Sequence, residues 1–422
     1  GCITCRGEAK SVLRQKLDRA FTDRLTGIPI MLLMLTLVLW ITISGANYPS
    51  RLLSSFLFGL ETHLTALFVQ LGAPDWLHGM LVLGVYRVLA WVVAVMLPPM
   101  AIFFPLFTLL EDMGYLPRVA FNLDHVFEKC KTCGKQSLTM CMGFGCNAAG
   151  VIGCRIIDSP RERLIAIITN NFIPCNGRFP TLIAIITMFF VGIGGSLWGS
   201  LLSAAMLAGV VLLGILTTFA VSALLSRTLL RGVPSSFTLE LPPYRKPRVW
   251  QVIVRSIFDR TLFVLGRAVV VAAPAGLLIW TMANVTVGDS SLLVHCSAFL
   301  EPLGKLMGMD GVILLAFVLG FPANEIVIPI IIMAYTASGS IMELDNLAAL
   351  HTLLVANGWT WLTAVCVMLF SLMHWPCSTT CITIGKETGS LRWTAVAIAV
   401  PTLCGFCVCT LTAAAVRLLG LG

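Results

Sequence analysis

The sequence contains very long stretches without Asp, Glu, Lys or Arg. Residues 179–226 form one such stretch of 48 residues, and residues 346–385 form another of 40. A helix needs only about 20 apolar residues to cross a bilayer, and lipid cannot satisfy an unpaired backbone. Only 11% of the residues are charged and 58% are hydrophobic, which excludes a soluble enzyme and a disordered chain. The sequence therefore predicts an all-α polytopic membrane protein.

The apolar stretches predict seven membrane spans, and Pro98-Pro99 is expected to kink or break the second one. The spans are residues 28–46, 81–110, 164–193, 201–225, 262–285, 359–384 and 393–418. Two further segments, 140–147 and 311–335, contain helix-breaking residues at their centres. Both resemble re-entrant hairpins more than through-going helices, because irregular backbone at membrane depth needs protein or a water-filled cavity around it.

The chain divides into five predicted regions. Residues 1–27 form a basic arm, which either lies on the membrane surface through its amphipathic part, 10–24, or links to an upstream domain. Residues 28–80 hold the first span and an outer loop, 81–226 the first repeat, 227–261 a basic linker and 262–422 the second repeat. Residues 192–196 are expected to form a tight turn. The chain begins with Gly1, so we expect a processed or partial protein.

Short motifs recur in the two halves in the same order. The pattern G-F-x-x-N occurs at 143–147 and again at 320–324, and a Pro-Cys pair follows each, at 174–175 and 376–377. Broken helices in corresponding places of two halves are typical of transporters with a site near the bilayer midplane. Nearly all Lys and Arg residues fall in segments predicted to face the cytoplasm if both hairpins are re-entrant. The two repeats are then inverted, and the N-terminus is cytoplasmic.

Polar groups inside apolar stretches are the candidate functional residues, because an ionisable side chain in a membrane is costly. Thiol, amide and carboxylate groups suit a borderline divalent metal such as Fe(II). The predicted metal ligands are Cys146, Asn147, Cys175, Asn324, Glu325 and Cys377. Residues predicted to have gating or structural roles are Gly143, Gly145, Pro174, Arg178, Pro322, His374 and Pro376.

Each of these residues also has a structural interpretation. Asn147 and Asn324 would satisfy free backbone groups at the helix breaks, and Arg178 would bind carbonyl groups or a carboxylate. The cysteines would be packing residues, since free Cys in an apolar run behaves as a small hydrophobe. The 15 cysteines are expected to be reduced, because disulfide frameworks belong to small secreted chains.

No motif for hydrolytic catalysis occurs, and the chain is not expected to be an enzyme. The Gly-Lys pairs at 134–135, 304–305 and 385–386 lack the Ser or Thr of a phosphate loop. Any nucleotide would therefore bind outside this chain. Two C-x-x-C pairs, 2–5 and 130–133, would together supply the four ligands of a structural zinc site, although two reduced pairs are the simpler expectation.

Several motifs together resemble one family. MGFGCN (142–147), DSPRERL (158–164) and PCNGRFP (174–180) resemble the first Gate region of the ferrous iron transport protein B family, and residues 103–118 fit the same family. FPANE (321–325) and HWPC (374–377) resemble its second Gate region, in the form typical of Gram-positive members. The resemblance extends from about residue 27 to the C-terminus.

The resemblance implies uptake of Fe²⁺ across the bacterial cytoplasmic membrane. It also implies an N-terminal domain that binds GTP and Mg²⁺, either in the same polypeptide or as a separate chain, and this sequence does not contain one. The implied partners are membrane lipid, a small FeoA-like or FeoC-like cytoplasmic protein and further copies of the chain, but no nucleic acid. Two other functions remain open: transport of an organic solute such as a nucleoside, and a membrane scaffold for a GTPase.

Overall fold

The computed structural model describes residues 21, 23–130, 132–192, 197–232, 248–288, 290–336, 339 and 347–420. Their structure is almost entirely helical, and the described strands are one short antiparallel pair, β1 (Thr286–Val287) and β2 (Ser290–Ser291). Six helical stretches in the described ranges are long and apolar enough to cross a membrane: Tyr48–Gln70, Asp75–Asp112, Pro160–Val191, Leu202–Arg227, Trp361–Thr388 and Leu391–Leu418. The prediction of an all-α polytopic membrane protein is confirmed.

The helices fall into two halves. The first half contains α1 (Arg24–Gln70), α2 (Asp75–Asp112), α3 (Tyr115–Lys129), α4 (Lys135–Gly145), α5 (Asn147–Gly153), α6 (Pro160–Thr169), α7 (Phe179–Ile186) and α8 (Leu197–Arg227). The second half contains α9 (Val249–Arg255), α10 (Leu262–Asn284), α11 (Leu292–Leu306), α12 (Gly311–Leu319), α13 (Val327–Thr336), α14 (Leu347–Ala356), α15 (Trp361–Met373), α16 (Ser378–Thr388) and α17 (Leu391–Leu418). Cys2, Cys5, most of the segment 10–24 and residues 193–196 lie outside the described residues.

α1 is much longer than the predicted first span. It continues past residue 46, through residues predicted to form an outer loop, and ends at Gln70 after 47 residues, or about 70 Å. The loop prediction was wrong because Pro49 and Arg51 do not end the helix; Leu, Phe and Ser residues that favour or tolerate helix follow them. Glu61 in this part of α1 also pairs with Arg87 of α2, which anchors the extension.

α2 stays helical through Pro98 and Pro99, which were expected to kink or break it. Both residues, and also Pro105, lie inside its α-helical part, so the helix is not broken there. Neighbouring helices compensate for proline in membrane proteins, and the buried face of α2 packs into the core here. The irregular part of α2 is instead the π-helical stretch Gly79–Tyr86.

The two halves repeat the same helices, at a constant offset as far as the G-F-x-x-N motif. α3 and α11 each have 15 residues and begin at positions 115 and 292, which are 177 apart. With the same offset, Gly134 donates its backbone N–H to Asp124 Oδ1 at 2.8 Å, and Gly311 donates to Glu301 Oε2 at 2.6 Å. The duplicated unit predicted from the G-F-x-x-N motif is therefore present in the helices and in the equivalent hydrogen bonds of Gly134 and Gly311 to a carboxylate. α14 lies between the second hairpin and α15, which explains the longer spacing to the second Pro-Cys pair.

Each hairpin returns to the face from which it enters. Lys135, at the start of α4, bonds to Asp158 Oδ2 at 2.5 Å, beyond the end of α5. Asp310 precedes α12 and accepts a hydrogen bond from Tyr335, at the end of α13. Because both ends of each hairpin meet, the α4–α5 and α12–α13 pairs are re-entrant, as predicted.

The hairpins enter from opposite faces. Arg155, after α5, pairs with Glu387 at the end of α16, so these ends share a face with the base of the first hairpin. α17 then runs for 28 residues, or about 42 Å. At its far end Arg417 Nη2 donates to the carbonyl of Lys305 at 2.5 Å, beside the base of the second hairpin. The repeats are therefore inverted.

Candidate substrate site at four helix breaks

The two hairpins are interrupted at equivalent residues with the same backbone conformation. Cys146 has φ −156° and ψ 126°, and Ala323 has φ −152° and ψ 119°. Each residue is extended and directly precedes the Asn of the repeated motif. Glycine is needed beside the first break, because a Cβ on Gly145 would lie 2.5 Å from the ring of Phe103 on α2. The repeated motif thus specifies a matching pair of broken helices.

The other two breaks occur at the Pro-Cys pairs. Ile173 is extended, with φ −83° and ψ 120°, as expected for a residue before proline. Cys175 (φ −82°, ψ 168°) directly precedes the 3₁₀ turn Asn176–Arg178, and Cys377 (φ −62°, ψ 160°) directly precedes α16. In both halves, therefore, a cysteine stands at the N-terminal end of a helical segment in mid-chain.

The four breaks surround one cavity of about 30 Å³. A single water needs about 10–15 Å³, so the cavity has room for a small ion with little of its hydration shell. The residues predicted as metal ligands all line it: Cys146, Asn147, Cys175, Asn324, Glu325 and Cys377. The structure therefore brings together side chains that lie up to 231 positions apart, between 146 and 377. Their role as ligands stays a prediction.

The residues predicted to shape the site divide into two groups. Gly145 and Pro322 line the cavity itself. Gly143 lies behind it, where a Cβ would come within 2.9 Å of Asn170 Oδ1. Pro174 and Pro376 begin the breaks that hold the two cysteines. These glycines and prolines shape the polypeptide chain around the cavity.

Glu325 is the acidic group of the cavity. Its side chain is buried, with the residue 6% exposed, and it lies in the 3₁₀ turn Asn324–Ile326. Within the described part of the chain, no Lys, Arg or His forms an ion pair with it. Its carboxylate lies against the backbone of Gly177 from the other repeat, so closely that a Cβ on Gly177 would collide with it.

The two asparagines of the repeated motif bind backbone and side-chain groups at the breaks. With its amide oriented to suit its neighbours, Asn147 donates to the carbonyls of Gly143 and Ile173, each at 3.2 Å. Asn324 Oδ1 lies 3.3 Å from Nε2 of the buried His374, whose Nδ1 is 3.0 Å from the carbonyl of Ser371. Asn147 thus satisfies carbonyl groups at two breaks, Asn324 contacts the His374 ring, and both also line the cavity.

Arg178 connects the two repeats behind the cavity. Its residue is 1% exposed, and its Nη1 donates to the carbonyl oxygens of Asn171 at 2.8 Å and Leu372 at 2.9 Å. Its Nη2 donates to Asn171 Oδ1 at 3.0 Å, and Asn171 Nδ2 donates to the carbonyl of His374 at 2.5 Å. These carbonyls belong to the helix ends before the two Pro-Cys breaks, where intrahelical partners are missing. The guanidinium group therefore stabilises both breaks at once.

No closed coordination sphere exists among the described residues, where no three His, Cys, Asp or Glu side chains come together as a metal-holding group. The thirteen described cysteines are free, including Cys130 and Cys133 of one C-x-x-C pair. The possible donors are instead spread over the walls of the cavity. Such an arrangement lacks the closed, tetrahedral ligand set of a structural site.

Six residues that line the cavity were not predicted from the sequence: Met96, Met100, Gly177, Ala268, Ala323 and Thr379. Met96 and Met100 of α2 face the breaks, and Gly177 and Thr379 complete the walls. Gly177 and Thr379 each lie two residues beyond a predicted cysteine, which was a usable signal. The two methionines lie in an ordinary apolar run, where nothing but their i, i+4 spacing distinguishes them from core residues.

Together, the inverted repeats and the broken helices around one cavity are typical of polytopic membrane proteins of the transporter class. Residues 93–190 and 265–391 match the sequence model of the Gate family, described as nucleoside recognition, and residues 207–259 match that of the ferrous iron transport protein B C terminus. The chain belongs to the ferrous iron transport protein B family, within which it corresponds to the membrane region.

Relatives from several bacteria are similar over nearly the whole chain. An Fe(2+) transporter FeoB of Staphylococcus aureus is 28% identical over 416 residues, which cover 96% of this chain and 59% of the relative. One of Campylobacter jejuni is 26% identical over 93% of this chain and 63% of its own length. A fusion of Fe(2+) transport protein A with FeoB in Porphyromonas gingivalis is 24% identical over 90% and 49%. The chain thus spans about six tenths of the length of the first two relatives, and no solved structure matches it significantly.

Proposed function

We propose that this chain is the membrane core of a ferrous iron importer, and that Fe²⁺ crosses through the cavity between the four helix breaks. The observation that carries the proposal is the buried Glu325 carboxylate, which faces the cavity without a cationic partner among the described residues. An unpaired carboxylate at this depth is costly. A divalent cation in the cavity would compensate its charge.

The remaining donors suit a borderline metal that must be released again. Cys146, Cys175 and Cys377 offer sulfur, and Asn147 and Asn324 offer oxygen. Sulfur ligands favour Fe(II) over Mg²⁺ and Ca²⁺, which prefer all-oxygen sites. Because the donors are not gathered into a closed group, we expect only a few to bind the ion at any moment, so that ligand exchange stays fast.

The helix ends around the cavity support the same role. Cys377 directly precedes the N-terminus of α16, and Glu325 lies in the first turn of a helical segment. Helix N-termini carry partial positive charge and stabilise anionic groups. They would therefore support the negatively charged ligands that a metal cation requires.

Uptake of Fe²⁺ into proteoliposomes under anaerobic conditions tests the proposal. We expect Glu325→Gln, Cys146→Ser and Cys175→Ser each to slow uptake strongly. Cys366→Ser is the matched control, because Cys366 is buried in α15 away from the cavity and its loss should leave uptake unchanged. If all three cavity variants transport at the wild-type rate, the site assignment is wrong.

Transport of a nucleoside is the second candidate, since the Gate family carries that description. The cavity volume argues against it: about 30 Å³ is far below the roughly 300–1,000 Å³ of organic ligand pockets. Competition would separate the two functions, because excess nucleoside should not reduce Fe²⁺ uptake.

A membrane scaffold, the third candidate, predicts no solvated route to the breaks, so water-soluble thiol reagents should then fail to modify Cys146 and Cys175 from either side.

We also propose a location, a nucleotide-binding domain and a partner for this membrane core. We place it in the bacterial cytoplasmic membrane with the N-terminus inside, which the distribution of Lys and Arg supports. We retain the five regions proposed from the sequence, with repeats at 81–226 and 262–422. We assign GTP and Mg²⁺ binding to a domain outside this chain, and we expect no enzymatic activity from the chain itself. The fused relative supports a small FeoA-like partner.

A further inference from the structure

The part of the cavity wall that α2 forms carries two sulfur atoms that do not belong to any predicted ligand. Met96 and Met100 both line the cavity, four positions apart in the α-helical part of α2, so their side chains leave the same face of the helix. Both residues are buried. α2 also packs directly against the turns Asn324–Ile326 and Asn176–Arg178, which hold Glu325 and follow Cys175. The methionines therefore line the same cavity as the predicted ligands, on a helix that packs against the turns beside them.

We propose that Met96 and Met100 are selectivity-determining residues that supply thioether sulfur to a cation in the cavity. The inference rests on the proposed transport function and specifies its substrate class as a thiophilic or borderline divalent cation. Without these side chains, the α2 and α10 side of the cavity would offer an ion no donor, since the neighbouring lining residue of α10 is Ala268.

Thioether chemistry fits this position for two reasons. A thioether is neutral and does not titrate, so it adds a ligand without adding the desolvation cost of another buried charge. Sulfur donors select softer cations, whereas Mn²⁺, Mg²⁺ and Ca²⁺ favour oxygen. Two weak sulfur ligands in the same cavity as one carboxylate would therefore prefer Fe²⁺ over Mn²⁺ and still allow rapid release.

The alternative is a purely structural role, in which both methionines only fill space, as Met commonly does in irregular cores. Substitution by leucine separates the two roles, because Leu nearly conserves volume and hydrophobicity while it removes the sulfur. If packing is the whole role, Met96→Leu and Met100→Leu should behave as wild type. If sulfur binds the cation, the variants should fold normally and lose selectivity.

The experiment is uptake of Fe²⁺ and Mn²⁺, measured separately and in competition, in proteoliposomes that contain wild type, Met96→Leu, Met100→Leu or the double variant. We expect the double variant to lose the preference for Fe²⁺ over Mn²⁺ by roughly tenfold, comparable to the loss of a group that tunes a metal site, with Mn²⁺ uptake retained. Met188→Leu is the matched control, because Met188 is buried but does not line the cavity.

A direct readout complements uptake. The X-ray absorption spectrum of protein loaded with Fe²⁺ should contain a sulfur contribution that falls in the double Leu variant and stays unchanged in Met188→Leu. Unchanged selectivity and an unchanged sulfur signal in both single variants and the double variant would overturn the inference. Failure of the wild type to transport Fe²⁺ would instead overturn the proposed function, so the two failures are distinguishable.

Discussion

Arg155 and Glu387 join the two repeats at one face of the membrane region. The guanidinium Nε donates to Oε2 at 2.8 Å, and Nη2 donates to Oε1 at 2.7 Å. Arg155 follows α5 and Glu387 lies in the last turn of α16, and these two helices pack against each other. The other ends of α5 and α16 carry Asn147 and Cys377 at the cavity. The ion pair thus holds together two half-helices that run from the cavity to this face.

Reversing one charge of this pair should open the route between the two half-helices. We expect Arg155→Glu to increase the rate at which a water-soluble maleimide modifies Cys146 from this face, and Arg155→Glu combined with Glu387→Arg to restore the wild-type rate. The effect on thermal stability should be small, because Arg155 is exposed and solvent screens the pair. Lys305→Glu is the control, since its pair with Glu301 lies at the opposite face. Equal labelling of wild type and Arg155→Glu would contradict the expectation.

Gly177 is expected to tolerate no side chain. Gly177→Ala would push a methyl group into the Glu325 carboxylate, and overpacking of this kind costs about 1–3 kcal/mol. We expect a lower melting temperature in detergent and loss of Fe²⁺ uptake. Gly209→Ala is the comparison, because a Cβ at this position of α8 would meet no atom within 4 Å and Ala stabilises a helix interior by about 0.5–1 kcal/mol relative to Gly. Similar melting of the two variants would refute the close contact.

Removal of the Arg178 guanidinium should destabilise the fold much more than removal of an exposed guanidinium such as that of Arg231. Arg178→Met leaves the carbonyls of Asn171 and Leu372 without their donor, at a cost of about 1–3 kcal/mol for each buried group. Arg178→Lys should recover part of the loss, because an ammonium group cannot reproduce the planar fork. Thermal unfolding followed by circular dichroism measures both. Arg231→Met, at an exposed position, should melt as wild type, and equal melting of Arg178→Met would disprove the bridging role.

Acid should remove the stabilisation that the Lys135–Asp158 pair gives to the base of the first hairpin. The hydrogen bond and charge of Lys135 lower the pKa of the Asp158 carboxyl. A lowered folded-state pKa means that this pair stabilises the fold above the ordinary Asp pKa of about 3.9, and that the stabilisation disappears as the pH falls through the lower value. Asp158→Asn should therefore melt slightly below wild type near neutral pH and match it near pH 2. Lys135→Gln should give the same curve, and a difference that stays constant with pH would exclude the mechanism.

Local sequence was sufficient to find the four helix breaks. Gly143, Gly145 and the Pro-Cys pairs impose backbone preferences that act within one or two residues, so the breaks at Cys146 and Cys175 could be predicted without a structure. The repeated motif predicted their partners at Ala323 and Cys377 for the same reason. The absence of charge predicted the membrane, since it depends on composition alone.

Predictions that depend on neighbouring helices were less successful. The helix through Pro98 and Pro99 and the continuation of α1 past Arg51 contradict local rules, because packing partners such as Arg87 outweigh a proline or a single charge. The sequence favoured a re-entrant second hairpin but did not exclude a spanning helix. The hydrogen bond between Asp310 and Tyr335, 25 positions apart in the chain, shows that both ends of this hairpin lie at the same face.

Composition and short-range backbone chemistry were enough to predict the class of the protein, the order of its repeats and the places where its helices break. Packing between distant helices brings Glu325 against Gly177 of the other repeat, Arg178 to the carbonyl of Leu372, and two methionines of α2 to the same cavity. These contacts join residues far apart in the chain, and their distances depend on how whole helices pack, which no local pattern encodes.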